Sequence, residues 1–324
     1  MAIRERPEIL KAITQGEFGP NGHGRLNELH QDVTRQVLEG RKRDVEAFRL
    51  QTQAAAKEMS QHEQSELKLM KEMGLDTAKL DAIQRERQAA GEKRFKAIQA
   101  EMDKQSQEPS DMALDMAIAP SFLPEGAQAL APCWVAATST QEDTNKMTRS
   151  AALAPHALLT GGATKDYWNW ASGGGWGCLG TGVGENQAWI DFGFWFTPSA
   201  SKFYAVNPLF RFRGYYIVQA DDGWFDCKSA QVRVSAWTNV YQYNWKGWNH
   251  ADVLDVHGDN INVNYRFDTD RYTYNSYLLG GGDPAWIQCT IGLYVRAQGG
   301  GSYAKNDFAT GAANYLSVPL CYVY

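Results

Sequence analysis

Two stretches gather side chains that could recognise a ligand. In Tyr167-Trp168-Asn169-Trp170, the two indoles Trp168 and Trp170 fall on one side of an extended segment, and Trp176 follows in a glycine-rich run. Asn244-Trp245-Lys246-Gly247-Trp248-Asn249-His250 repeats the combination, with Trp245 and Trp248 set among amides. Indole faces stack on the apolar faces of sugar rings while amides and carboxylates bond the hydroxyls. Trp168, Trp170, Trp176, Trp245, Trp248, Asn169 and Asn244 are therefore candidate carbohydrate contacts. The competing role for the same residues is packing between sheets or across a subunit interface, where Trp and Tyr are also enriched.

Other chemistry is thinner. Asp259, Asp268 and Asp270 offer the oxygen ligands that calcium prefers, but no 12-residue calcium-loop pattern surrounds them. Aspartate is also common in sandwich turns. The run Gly173–Gly184 lacks the terminal Gly-Lys-Ser/Thr of a phosphate cradle and is followed by a strand-like stretch, so it reads as a loop. His250 and His257 are not at helical metal-ligand spacing, and no G-x-S-x-G or H-E-x-x-H motif occurs. No catalytic residue and no cofactor is assigned beyond the weak calcium candidates, and an enzyme is the least supported class. The five cysteines are widely spaced without a C-x-x-C, which argues against a zinc site, a redox motif or a disulfide framework. Cys133, Cys289 and Cys321 lie in apolar runs and read as small buried hydrophobes.

The elements that must position these residues change character along the chain. Residues 1–23 read as a tail or arm. Residues 24–107 carry a narrow apolar stripe at helical spacing: Leu26, Leu29, Val33, Val37, Phe48 and Met59, then Leu80, Ile83, Phe95 and Ile98. Gly74 marks a helix end and Asp76 an N-cap, so the expectation is a long α-helical, coiled-coil-like hairpin with arms of roughly 50 and 30 residues. Such a stripe buries little by itself and suggests packing against other copies or a partner, the alternative being a hairpin folded back on the β region. Residues 108–130 read as a Pro-rich linker.

From residue 131 the alphabet changes. All 11 Trp lie at or after Trp134, and the apolar period becomes 2. About eight or nine strands with Gly- and Asp-rich turns, and no helical period between them, predict an antiparallel sandwich or jelly roll over 131–324. One face of a long strand is Val232, Val234, Ala236, Thr238 and Val240, and the other is Arg233, Ser235, Trp237, Asn239 and Tyr241. The fold class is thus α+β multidomain.

Charge and hydropathy narrow the partners. Residues 1–108 hold 19 Lys+Arg against 19 Asp+Glu, and the remainder 13 against 18, so the net −5 belongs to the β region. Without a basic stripe a nucleic-acid partner is not expected. No stretch approaches the roughly 18 apolar residues of a membrane span. The first residues lack an apolar secretory core, so synthesis in the cytoplasm is expected, with release by lysis or a dedicated export route compatible with it. The composition points to a non-enzymatic, self-assembling structural or adhesive protein, of fibre, filament or virion-surface kind, that forms a homo-oligomer through its helices. The alternatives are a lectin-like carbohydrate-binding module with a glycan or cell-surface ligand, and a toxin with a membrane-acting helical arm.

Overall fold

The computed structural model describes residues 22–107, 123–141, 164–175, 181–221 and 227–324. The expected tail, most of the linker and Trp176 lie outside the described residues.

Two helices form where the 3-and-4 apolar spacing runs. Helix α1 (Gly22–Glu72) has 51 residues, about 75 Å at ~1.5 Å each. It ends in a Schellman turn: Gly74 sits at φ +76°, its N–H reaches Lys71, and Leu75 N–H reaches Met70. Helix α2 (Thr77–Gln105) starts at Asp76, whose carboxylate accepts from Lys79 N–H at 3.0 Å. Neither helix is long and apolar enough to cross a membrane. Residues up to Asp44 make one compact unit and those from Val45 a second. Within the first, Leu26 and Leu29 are half-buried and Val33 and Val37 buried. Within the second, Phe48, Met59 and Leu80 are half-buried, whereas Leu50, Leu69, Met73 and Ile83 are exposed.

For α2, the structure shows the alternative of packing back on the β region. Phe95, Ile98 and Met102 are not left for another copy of the chain, because they pack on Tyr215, Ile217, Tyr303 and Trp170 of the β region. The Phe95 and Tyr303 rings stack at 4.8 Å. Close approach is possible because Gly91 meets the backbone at Gly301, where a Cβ would come within 2.8 Å of a carbonyl. The second helix is therefore a layer of the β-domain.

The strands in chain order begin with β1 (Gln128–Leu130), β2 (Trp134–Ser139), β3 (Thr164–Lys165), β4 (Tyr167–Ser172), β5 (Gly174–Gly175) and β6 (Thr181–Phe196). They continue with β7 (Lys202–Arg213), β8 (Tyr215–Ala220), β9 (Ser229–Gln242), β10 (Asn244–Trp245), β11 (Asn249–Asp259) and β12 (Ile261–Arg266). The last are β13 (Thr269–Tyr272), β14 (Asn275–Leu279), β15 (Ala285–Gln298), β16 (Tyr303–Phe308) and β17 (Tyr315–Val323). All pairings are antiparallel.

One sheet runs β9-β15-β6-β2, with β10 and β11 on the far side of β9. A second runs β1-β17-β7-β13, with β3 on β17 and β14 on β7. A third runs β12-β8-β16-β4. The second and third have matching orders, because β7 continues into β8 across Gly214, β12 into β13 across Phe267-Asp268, and β3 into β4 across Asp166. They are one sheet creased across its middle. A Cβ on Gly214 would collide with the Asp307 carbonyl, and Gly214 N–H and C=O bond Asp268 and Phe267 N–H at the crease.

Inward residues fill the space between the creased sheet and the sheet of β9, β15 and β6. Ile190, Phe192, Phe194, Phe210, Phe212, Ile287 and Ile291 make the main core, and Val218, Val232, Val295 and Ala304 extend it beyond the crease. The sheets stay open. Part of the excess of segments over the eight or nine strands expected arises from the crease, which divides β3/β4, β7/β8, β12/β13 and β16/β17.

Candidate functional site

The most chemically pointed surface grows from the outward face of β9. Its inward residues Val232, Val234, Ala236 and Val240 are in the core, so period 2 sends Arg233, Ser235, Trp237, Asn239 and Tyr241 outward. After Gln242 the chain reverses at Tyr243, held at φ 64°, and β10 folds Trp245 opposite Tyr241. The buried Asn239 side chain fixes the return: its Oδ1 accepts from Val240 N–H at 2.8 Å and from Gly247 N–H at 2.9 Å. Gly247 takes φ +121°, a conformation that side chains rarely adopt, and β11 then places His250 opposite Trp237.

Five rings thereby join in one strip. His250 stacks on Trp237 at 4.5 Å, Trp237 meets Trp248 edge-on at 6.3 Å, Trp248 lies parallel to Trp245 at 6.3 Å, and Trp245 meets Tyr241 at 5.3 Å. The Trp237 indole N–H donates to Ser235 Oγ at 2.7 Å, and Gly292 on β15 leaves the room this requires. Trp248 is 48% exposed, and Asn244, Lys246, Asn249, His250 and Asp252 around it are exposed. The Tyr243 hydroxyl bonds Asp283, and buried Gln242 ties Gly280 and Asp283 beside the strip. Apolar ring faces next to amide, hydroxyl and carboxylate groups can hold a ligand that is apolar on one side and hydroxylated at its edge.

Of the residues marked in the sequence, this arrangement unites Trp245, Trp248 and Asn244. It adds Trp237 and Tyr241, whose signal was the outward alternation of the long strand, and His250, which closes the same Asn244–His250 stretch. The other stretch goes elsewhere. Trp168 and Trp170 share a face of β4, as expected, but it is the half-buried outer face of the sheet on which α2 packs, while Tyr167, Asn169 and Ala171 face the core. Trp170 packs under α2, and the Lys305 ammonium stands 5.5 Å from the Trp168 ring. Asn169 is fully buried and donates to the carbonyls of Leu293 at 3.2 Å and Asn186 at 3.4 Å, so it cannot reach an external ligand.

The calcium candidates do not converge. Asp270 is bound by Arg211 at 3.0 Å and Arg213 at 2.8 Å, Asp268 by Arg266 at 2.7 Å, and Asp259 is exposed at the end of β11. Among the described residues no three His, Cys, Asp or Glu side chains come together to hold a metal ion. Cys133, Cys289 and Cys321 are free thiols, and burial pushes the Cys133 thiol up to about 12. Cys227, in contrast with the expectation of unpaired cysteines, is disulfide-bonded.

A second polar cluster lies beneath α2. Lys305 and Asp307 pair at 2.8 Å with their side chains 4% and 0% exposed. The Tyr215 hydroxyl sits 2.6 Å from Asp103 of α2, 3.1 Å from Asp307 and 3.0 Å from the Lys305 ammonium. Burial first, and then Asp307 and Asp103, raise the Tyr215 phenol far above its ordinary value. Burial alone would raise Asp307, but Lys305 and the amides of Ala309 and Thr310 outweigh it and hold the carboxyl below its usual range. With Lys305 and Asp307 withdrawn from solvent and Asp103 half-buried, the cluster fastens the helix to the sheet. No protein-family model matches this sequence, and no curated protein matches it either.

Proposed function

We propose that this protein is a non-enzymatic adhesive protein whose β-domain recognises a carbohydrate through the strip of Tyr241, Trp245, Trp248, Trp237 and His250, and whose helical arm brings copies of the chain together. The observation that supports the reading is Trp248, which keeps 48% of its surface in water while forming part of an ordered ring array. Burying a large apolar side chain is worth about 1.5–3 kcal/mol, so a packing role alone leaves much of that stabilisation unused. Screening the full chain on a glycan array tests it, with Trp248→Ala and Trp245→Ala as variants and Tyr265→Ala, an exposed aromatic on β12, as the control. Binding that Trp248→Ala and Trp245→Ala abolish and Tyr265→Ala keeps is the expected outcome. Failure to bind any glycan, or binding indifferent to the Trp variants, removes the reading.

A second reading, of a fibre, filament or virion-surface component, rests on the winding. With the creased sheet taken as one, its order is β3/β4, β16/β17, β7/β8, β12/β13, and the facing order is β2, β6, β15, β9, β11. Two antiparallel layers of this order support a jelly-roll reading, an architecture of shell and lectin domains. Electron microscopy of the full-length protein distinguishes ordered assemblies from dispersed monomers.

A further inference from the structure

We infer that the aromatic strip is one end of a longer track that takes a linear, uncharged oligosaccharide of several units and rejects acidic sugars. The inference rests on the carbohydrate reading above and adds the length and charge of the ligand.

The track follows from the register of β11 on β9. His250 lies opposite Trp237, Asp252 opposite Ser235, Asp255 opposite Arg233, and His257 opposite Gln231. A bulge between Asp252 and Leu254 resets the alternation, so Leu254 and Val256 pack on the core while Asp252, Asp255 and His257 stay exposed on the outward face. From Tyr241 to Gln231 this face extends roughly 33 Å at ~3.3 Å per residue, which exceeds one sugar ring several-fold. Asp255 is held in place by Gln231 Nε2 at 2.8 Å and His257 Nδ1 at 3.1 Å, and keeps an exposed carboxylate. Carboxylates accept bonds from sugar hydroxyls and repel sulfate or carboxylate groups. Asp259 continues the acidic line at the end of β11, and the cations of the track are Lys246 beside Trp248 and Arg233, which is drawn over the Tyr294 ring at 5.2 Å.

The test is isothermal titration of the full chain with neutral oligosaccharides of two and six units, taken from an array hit, and with an acidic hexasaccharide such as a heparin fragment. Affinity for the neutral hexamer should exceed that for the dimer at least tenfold, and Asp252→Asn/Asp255→Asn should remove most of that gain while leaving dimer binding intact. Trp248→Ala should weaken both. The acidic hexamer should not bind. Equal affinity for dimer and hexamer, or tight binding of the acidic hexamer, overturns this inference alone. Absence of binding to every glycan overturns the carbohydrate reading and the inference with it.

Discussion

Trp286 is fully buried with its six-membered ring over Gly193, where a Cβ would collide, and is wedged edge-on between Trp134 and Trp195. Trp248, by contrast, stands half in water. Trp286→Ala should therefore cost ~3–5 kcal/mol in urea titration, and Trp248→Ala no more than about 0.5 kcal/mol. Lys305 and Asp307 allow a sharper expectation. Lys305→Met leaves a buried carboxylate without its counter-charge and should cost ~3–5 kcal/mol at neutral pH. Because the folded Asp307 carboxyl lies below the unfolded value of about 3.9, its stabilisation is present above that value and lost as pH falls through the folded one. Acid titrations followed by circular dichroism should show that slope flattened in Asp307→Asn. The Tyr215 shift has the opposite sign: its contribution is intact below about 10 and lost as pH rises further.

Among the elements, α2 carries the largest consequence. Its docking covers Tyr215, Ile217 and Tyr303, which would otherwise stand as an apolar patch on the outer face of β8 and β16. A fragment of residues 125–324 should therefore bind a hydrophobic dye and aggregate on size-exclusion chromatography, whereas one that begins before Thr77 should not. A well-behaved monomeric fragment without α2 would contradict the layer assignment. Phe95→Ala should cost about 3–5 kcal/mol by thermal unfolding. Helix positions were readable from the 3-and-4 spacing, and the Gly74 and Asp76 signals mark where the chain turns. The partner of the α2 stripe was not readable, because an apolar stripe encodes a wish for burial without saying which surface supplies it.

At the scale of the molecule, the proposed assembly role falls to apolar residues that the arm leaves in water. Leu69, Met73 and Leu75, at and just beyond the end of α1, are 57%, 70% and 47% exposed. If the arm assembles the protein, light scattering of the full chain should report an oligomer, and Leu69→Glu/Met73→Glu should dissociate it with helicity unchanged. A monomeric wild-type chain sinks the assembly role and leaves the carbohydrate reading standing.

Local patterns determined a good deal. Period 3.6 before residue 107 and period 2 after 131 set the two classes of element, since burial of one face of a helix or strand needs those spacings. The inward and outward sides of β9 followed from the same alternation, as did the buried state of Cys289 and Cys321. What only the tertiary structure decided was which of two similar Trp-Asn stretches faces water. Trp168, Asn169 and Trp170 read much like Trp245, Trp248 and Asn249, yet α2 and the core claim the first group. The β9–β11 reversal leaves the second at an edge with Trp248 uncovered. Exposure is a property of what lies opposite a residue, and partners distant in sequence are chosen by the whole fold.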